Sequence, residues 1–141
     1  MKNLILTLVF AISFSVQSQE KINWITNIEE GLKLGKEQNK IVFIYFGAKK
    51  CVPCRSVEKY EYSNPEFIKY SKDLIMVKIF DDLDKEKVDW QSYIQKSRKT
   101  YKIKINPRFI LIKNGEEIAS FFTYVRKPGD LLTKFKTYIS E

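Results

Sequence analysis

The sequence predicts a single α/β domain in which a central mixed β-sheet is flanked by helices on both faces. Residues 41–46 and 74–80 form β-branched and aromatic runs that are apolar on both faces, as expected of strands covered on each side. Helical segments with recognisable capping residues separate these runs. An Asn-Gly pair near the C-terminus predicts an antiparallel hairpin. The chain of 141 residues suits one domain.

The first half of the chain contains three predicted helices around the first strand. Thr26 or Asn27 can cap a helix that is expected to reach about Asn39, although two glycines lower its helix propensity. After the strand over residues 41–46, a second helix is predicted over residues 52–60. Asn64, Pro65 and Glu66 then give an N-cap, a proline at the first helical position and an acid in the first turn of a third helix.

The second half contributes the remaining strands and two more helices. After the strand over residues 74–80, Asp82 or Asp84 is expected to cap a helix. Aromatic and apolar residues recur on that helix at helical spacing: Trp90, Tyr93, Ile94 and Tyr101. Strands over residues 108–113 and 118–124 are expected to pair across the Asn-Gly turn. A final helix is predicted to begin at Pro128-Gly129-Asp130. The chain shows no internal repeat, and no second domain is expected.

The N-terminus has the pattern of a secretory signal peptide. Lys2 gives a short positive start, residues 4–14 are almost unbroken apolar, and Ser18 is the small residue before the expected cut. The apolar run is shorter than the ~20 residues that a membrane-spanning helix needs. We therefore predict a signal peptide over residues 1–18 and a mature domain over residues 19–141, located in the periplasm or outside the cell.

Composition excludes several classes of chemistry. The chain has no histidine, which removes the usual Ser-His-Asp and Cys-His nucleophiles and histidine-ligated zinc or haem sites. A formal net charge of +8 raises the possibility of a nucleic-acid partner. However, the export pattern and the interspersed charges favour a solvated face over a nucleic-acid site, so no nucleic-acid partner is expected. The densest basic group comprises Arg98, Lys99, Lys102 and Lys104.

The two cysteines, Cys51 and Cys54, lie where a strand gives way to a helix. The unpaired N–H groups and the positive dipole end of that helix favour a thiolate on Cys51, and Lys49 and Lys50 add positive charge. Cys54, one turn further on, is expected to be more buried. A pair of this kind can attack a substrate disulfide through the first thiol and resolve the mixed disulfide through the second.

Other roles for this pair fit the sequence less well. A zinc site needs two more ligands, and an iron–sulfur cluster needs four thiolates. Covalent haem attachment needs histidine where the chain has Arg55. An inert disulfide across two residues would restrict the chain very little. Redox chemistry is therefore favoured, with no metal and no cofactor.

Two segments resemble the thioredoxin family, and together they extend the resemblance over essentially the whole mature chain. Residues 42–55 are similar to the family's strand, active-site turn and helix start. Residues 101–115 are similar to its proline loop, the following strand and the hairpin turn. The resemblance implies a thioredoxin fold and a redox-active disulfide between Cys51 and Cys54.

The resemblance also implies roles around the disulfide. Pro107 matches the family's cis-proline, and the backbone of Asn106 would pair with an extended substrate peptide. Val52 and Pro53 occupy the dipeptide between the cysteines and would help to orient the substrate. Lys78 matches a lysine that many members place near the buried thiol, where it would tune the thiol pKa together with Lys49 and Lys50.

The chain departs from the family pattern at several positions around the site. Lys50 replaces a tryptophan, Arg108 replaces a threonine, and Tyr45 aligns with a buried acid. A tyrosine hydroxyl, with an ordinary pKa of about 10, is a poor base at neutral pH. Deprotonation of Cys54 must therefore use water, Lys78 or another group, or proceed slowly.

The functional prediction is an exported thiol–disulfide oxidoreductase that exchanges disulfides with protein cysteines. Its direction depends on reduction potential and on the partner that recharges it, and reduction outside the cytosol needs a membrane-embedded thiol electron donor. A monomer is expected. The alternative is a thioredoxin-like module that binds a peptide or client with little redox turnover. A thiol peroxidase is a third class, for which no threonine or arginine lies close upstream of Cys51.

Overall fold

The computed structural model describes residues 20–81 and 88–140. Its sheet has five strands in the order β1-β3-β2-β4-β5, and the first three of these are parallel to one another. Strand β4 runs antiparallel to β2, and β5 runs antiparallel to β4. The predicted mixed sheet is confirmed. The strands are β1 (Trp24–Ile25), β2 (Ile41–Gly47), β3 (Leu74–Phe80), β4 (Arg108–Lys113) and β5 (Glu116–Phe121).

Helices cover both faces of the sheet, as predicted. They are α1 (Ile28–Glu37), α2 (Val52–Tyr60), α3 (Pro65–Ser71), α4 (Val88–Thr100) and α5 (Asp130–Ile139). One core cluster joins α2, α3 and α5 to the sheet through Cys54, Phe67 and Phe135, among others. A second cluster joins α1 and α4 to the opposite face through Ile28 and Ile94.

Several boundaries differ from the predicted ones. Strand β1 was not predicted, because two residues are too few to show a periodic pattern. Strand β5 spans Glu116–Phe121 rather than residues 118–124, because the turn of Asn114 (φ 53°) and Gly115 (φ 85°) lets pairing resume at once. Helix α1 ends at Glu37, and Tyr101 follows the end of α4.

The glycines of α1 allow the helix to lie very close to the sheet. A Cβ atom added at Gly31 would overlap the side chain of Val77, and one added at Gly35 would overlap Val42. Their lack of a side chain is therefore a packing requirement, which offsets their low helix propensity. Asn27 is the N-cap of this helix, because its side chain accepts a hydrogen bond from the N–H of Glu30 at 2.8 Å.

Two predictions fall outside the described residues. These are the signal peptide over residues 1–18 and the helix cap at Asp82 or Asp84. Within residues 20–81 and 88–140, no helix combines the length and the apolar character needed to cross a membrane.

Candidate active site

The cysteine pair lies at the junction between β2 and α2. Cys51 is the N-cap of α2, and its Sγ accepts a hydrogen bond from the N–H of Cys54 at 3.2 Å. The two residues are joined by a disulfide, with Cα atoms 5.2 Å apart. Cys51 is partly exposed, whereas Cys54 is completely buried in the core cluster under α2. The predicted difference in burial between the two thiols is confirmed.

Residues 101–107, between α4 and β4, form the proline loop. Its last residue lies beside the end of β2 that leads into this turn. Phe46 pairs with Arg108, so the preceding residue Pro107 is level with Gly47. Pro107 is buried, and the peptide bond between Asn106 and Pro107 is cis. The register of β2 and β4 thus brings together the two segments that carry the family resemblance, although Cys54 and Pro107 are 53 positions apart in the sequence.

Arg98 holds the proline loop from α4, which packs on the face of the sheet opposite α2. Its Nη1 donates to Oδ1 of Asn106 at 2.9 Å, and its Nη2 donates to the carbonyl of Ile103 at 3.5 Å. The same guanidinium forms an ion pair with Asp81 at 2.9 Å. Its side chain is only 23% exposed. The interpretation of Arg98 as part of a solvated face is therefore wrong, whereas Lys99, its neighbour, is exposed.

Lys78 forms an ion pair with α2 that the sequence does not predict. Its Nζ lies 2.6 Å from Oε1 of Glu58, and both side chains are half-buried. The ammonium also lies 4.6 Å from the ring centroid of Phe80 and 5.6 Å from that of Trp24. Glu58 follows Cys54 by one helical turn, and this spacing is the only feature of the sequence that could have identified it.

Tyr45, at the position of the family's buried acid, lies wholly inside the core. Its ring stacks on Phe109 with centroids 5.5 Å apart, and its hydroxyl has no hydrogen-bond partner among the described residues. Burial, together with the nearby carboxylate of Glu58, raises the pKa of Tyr45 well above its ordinary value. The hydroxyl therefore stays protonated at neutral pH and cannot act as a base.

The hydroxyl of Tyr45 occupies space above Gly47. A Cβ atom added at Gly47 would lie 2.6 Å from the tyrosine Oη and 3.1 Å from a ring carbon of Phe80. Such a contact is far shorter than ordinary van der Waals separation. Tyrosine at position 45 therefore requires glycine at position 47.

The residues predicted to orient the substrate differ in exposure. Val52 is 62% exposed on the surface beside Cys51, and Pro53 is half-buried. Lys49 and Lys50, predicted to tune the thiol pKa, are both exposed on the turn before the disulfide.

The far end of α2 is anchored by a buried carboxylate. Glu61 is the C-cap of α2 and is completely buried. Its side chain accepts hydrogen bonds from the N–H groups of Gly129, Leu131 and Leu132 at 3.0, 3.3 and 3.1 Å. Gly129 provides no side-chain cap for α5, so Glu61 performs that role. Burial raises the pKa of Glu61, and the backbone hydrogen bonds oppose this only in part.

The parts of the chain that the structure describes contain no group of three or more His, Cys, Asp or Glu side chains placed to hold a metal ion.

Comparisons with known proteins agree with this geometry. A model of thioredoxin-like proteins matches residues 23–113. A structure described as DsbH oxidoreductase superposes with a TM-score of 0.75 at 18% identity, over 85% of each chain. A thioredoxin from Thermus thermophilus gives a TM-score of 0.65 at 19% identity, over 84% of this chain and 88% of that one.

One further solved structure has more than a quarter of its aligned residues identical to those of this chain. Mitochondrial thioredoxin 3 from Saccharomyces cerevisiae, in its oxidised form, is 27% identical over 82% of this chain and 94% of its own, with a TM-score of 0.56. Comparison with curated protein sequences gives no significant match. The thioredoxin fold is confirmed, and the chain belongs to the thioredoxin-like family.

Proposed function

We propose that this protein is an exported thiol–disulfide oxidoreductase that acts on protein cysteines. The observation that carries the proposal is the disulfide at the start of α2, in which one sulfur is partly exposed and the other is buried. An accessible sulfur can form a mixed disulfide with a protein substrate, while a buried partner is protected from side reactions. The thioredoxin-like fold around the pair supports the same activity.

The reaction consists of two thiol–disulfide exchanges. In the reducing direction, the Cys51 thiolate attacks one sulfur of a substrate disulfide, forms a mixed disulfide and releases the first substrate thiolate. The Cys54 thiolate then attacks Sγ of Cys51, restores the internal disulfide and releases the second substrate thiolate. Two electrons pass from the cysteine pair to the substrate. The same steps in reverse oxidise a substrate dithiol.

Cys51 is the attacking thiol in this mechanism. It lies at the N-terminus of α2, where backbone N–H groups and the helix dipole stabilise negative charge on sulfur. Lys49 and Lys50 add positive charge from the preceding turn.

Glu58 is the proton acceptor that we assign to Cys54. Tyr45 cannot serve, because its buried hydroxyl remains protonated. Residues four apart on a helix have Cβ atoms about 5–6 Å apart, and long helical side chains point back toward the N-terminus. The Glu58 carboxylate is therefore within reach of the Cys54 thiol, and Lys78 positions it through the ion pair at 2.6 Å. The proton leaves Cys54 for this carboxylate as the thiolate attacks Cys51.

The substrate peptide is proposed to lie along the proline loop. The backbone of Asn106 would pair with it next to Pro107, and Val52 and Pro53 would contact it from the other side of Cys51. The cis peptide bond and the exposure of Val52 are compatible with this arrangement.

Export and recharging complete the proposal. Signal peptidase would cut after Ser18, and the domain would act as a monomer in the periplasm or outside the cell. A membrane-embedded thiol electron donor would supply electrons for the reducing direction. Intact-mass spectrometry of the exported protein is expected to give a chain that starts at Gln19, and retention of residues 1–18 would contradict this part of the proposal.

Insulin-disulfide reduction with dithiothreitol tests the activity. The wild type is expected to accelerate precipitation of the insulin B chain, and Cys51→Ser is expected to remove the acceleration. A thioredoxin-like binding module would not exceed the uncatalysed rate. Cys54→Ser is expected to accumulate mixed disulfides on Cys51, because the resolving thiol is absent. Accumulation in Cys51→Ser instead would reverse the two roles.

A further inference from the structure

We propose that the substrates of this protein present their cysteine within an acidic segment that has an apolar residue next to the cysteine. This inference rests on the proposed function and specifies its substrate class. The surface that would recognise such a segment is the set of exposed side chains on the active-site turn and on the loop before Pro107, which we term the basic rim. It consists of Lys49, Lys50, Val52, Arg55, Lys102, Lys104 and Ile105.

The charge of the basic rim is one-sided. The two segments that border the disulfide, residues 47–56 and 101–108, contain no acidic residue. Their basic residues are Lys49, Lys50, Arg55, Lys102, Lys104 and Arg108. The register of β2 and β4 places the two segments side by side, so their charges act on the same region of solvent.

Two acidic residues that the structure describes near the end of β2 are paired within the fold. Asp81 is paired with Arg98, and Glu58 is paired with Lys78. Among the described residues, no ion pair involves Lys49, Lys102 or Lys104. These lysines are exposed, so their charge is available to an incoming partner.

One basic residue near the site is occupied within the fold. Arg108 donates to the hydroxyl of Ser120 at 3.1 Å and to its carbonyl at 3.3 Å. It therefore holds β4 against β5 and is not counted in the basic rim. The attraction must come from the flexible lysines, which act as point charges and accept many geometries of an acidic partner.

Two members of the basic rim are apolar. Val52 is 62% exposed and Ile105 is 53% exposed, although both belong to residue types that are commonly buried. Val52 follows Cys51 directly, and Ile105 lies two residues before Pro107. An apolar substrate residue beside the reacting cysteine would cover them, while acidic residues further along the segment would reach the lysines.

A peptide accounts for this surface better than a nucleic acid does. The basic rim lies on the two segments that border the disulfide, so a peptide bound there would bring its cysteine close to the sulfur that exchanges disulfides. Attraction between opposite charges raises association rates by about 10–10³-fold at low salt, and screening removes this gain as the Debye length falls below ~10 Å. A charge-selective, salt-sensitive reaction with cysteine peptides is the expected signature.

Stopped-flow kinetics with three matched peptides tests the proposal. Each peptide carries one cysteine as a chromogenic mixed disulfide, flanked by glutamates, serines or lysines. With reduced protein at about 20 mM salt, we expect the glutamate peptide to react at least about tenfold faster than the lysine peptide. The ratio is expected to approach one at about 500 mM salt. A leucine next to the cysteine is expected to add a few-fold, and Ile105→Ser is expected to remove that gain.

Two charge-reversal variants locate the effect. Lys102→Glu/Lys104→Glu is expected to reduce or invert the preference for the glutamate peptide. Lys36→Glu/Lys113→Glu changes the net charge equally but lies at the opposite end of the sheet, so it is expected to keep the preference. Reaction with a small neutral disulfide serves as the reference for thiol reactivity in every variant.

The outcomes separate this inference from the proposed function. Equal rate constants for all three peptides at low salt, with normal reaction of the small disulfide, would overturn the inference and leave the oxidoreductase proposal standing. Equal rate constants together with strong inhibition by an oligonucleotide would assign the basic rim to nucleic acid instead. Failure to react with any disulfide would overturn both proposals.

Discussion

The guanidinium of Arg98 donates a hydrogen bond to the side-chain oxygen of Asn106 across 2.9 Å. Arg98 belongs to α4, which packs on the face of the sheet opposite α2. The loop that borders the disulfide is therefore held by a helix that packs on the opposite face of the sheet from Cys54. Asp81, at the end of β3, balances the charge of the same guanidinium.

Arg98→Lys is expected to impair peptide substrates selectively. Lysine keeps the charge but cannot reach Asp81, Ile103 and Asn106 together, because it lacks the planar fork of donors. We expect KM for a protein or peptide disulfide to rise several-fold, while reaction with a small disulfide is unchanged. Lys99→Met, at the exposed neighbouring position, is the matched control. An equal loss with both disulfides would mean that Arg98 acts through the thiols themselves.

Glu58→Gln is expected to slow the resolution of the mixed disulfide. General base catalysis contributes about 10²–10⁴-fold in well-formed sites, and a loss of at least tenfold is expected at this half-buried one. Without the carboxylate, the rate of resolution should follow the fraction of Cys54 that is ionised by exchange with solvent. That rate should therefore rise about tenfold per pH unit. Rapid-quench measurement of mixed-disulfide decay across pH checks both expectations.

Tyr45→Phe is the matched control for the Glu58 experiment. It removes a buried hydroxyl from the core cluster that contains Cys54 without changing ring packing, and resolution is expected to proceed at the wild-type rate. The variant is also expected to be about 1 kcal/mol more stable, because it removes a buried hydroxyl that lacks a hydrogen-bond partner. Slower resolution in Tyr45→Phe would show that the hydroxyl takes part in proton transfer.

Glu61→Ala is expected to destabilise the fold severely. It would leave the buried N–H groups of Leu131 and Leu132 without partners, at a cost of about 3 kcal/mol. Urea unfolding monitored by circular dichroism measures the change. Glu66→Ala, at an exposed position in α3, is the comparison and is expected to change stability far less. A similar small loss in Glu61→Ala would mean that α5 does not depend on this cap.

The same carboxyl group predicts a pH dependence of stability. Because burial raises the pKa of Glu61, the native state binds this proton more tightly than the unfolded chain does. The associated stability is present below the ordinary glutamate pKa and is lost as pH rises through the raised native value. Glu61→Gln cannot ionise, so the free energy of unfolding of wild type relative to this variant should fall over that window. A constant difference would contradict the expectation.

Gly47→Ala is expected to cost about 3 kcal/mol, because the new methyl group would overlap the hydroxyl of Tyr45 and the packed interior cannot move aside. In a Tyr45→Val background most of that penalty should disappear. A double-mutant cycle on unfolding free energies measures the coupling. Additive losses would mean that the alanine is opposed by something other than the tyrosine.

The local parts of the fold could be predicted from the sequence. The boundaries of β3 and α2 agree with those predicted, because apolar runs and the Cys51 cap site are contained within each segment. The cysteine pair was identifiable for the same reason. Strand β1 carries too few residues to show a pattern, and its place in the sheet depends on pairing with β3.

Features that depend on distant contacts could not be predicted. The cap of α5 comes from Glu61, which lies 71 residues before Leu132. Arg98 has the same charge as its solvated neighbours and differs from them only through Asp81 and Asn106. In each case a charged side chain gains meaning from a partner that periodicity does not reveal.

The bonds between Glu61 and the backbone of residues 129–132 bear on how the chain folds as it is synthesised. The end of α2 carries a carboxylate whose acceptors are filled only by the last helix. A chain that has emerged up to residue 120 contains both cysteines and helices α1 to α4, yet it cannot bury this charge with the hydrogen bonds that residues 129–132 provide. Stable closure of the core around Cys54 must therefore wait for the C-terminal segment, and an emerging chain remains loosely folded until its final residues arrive.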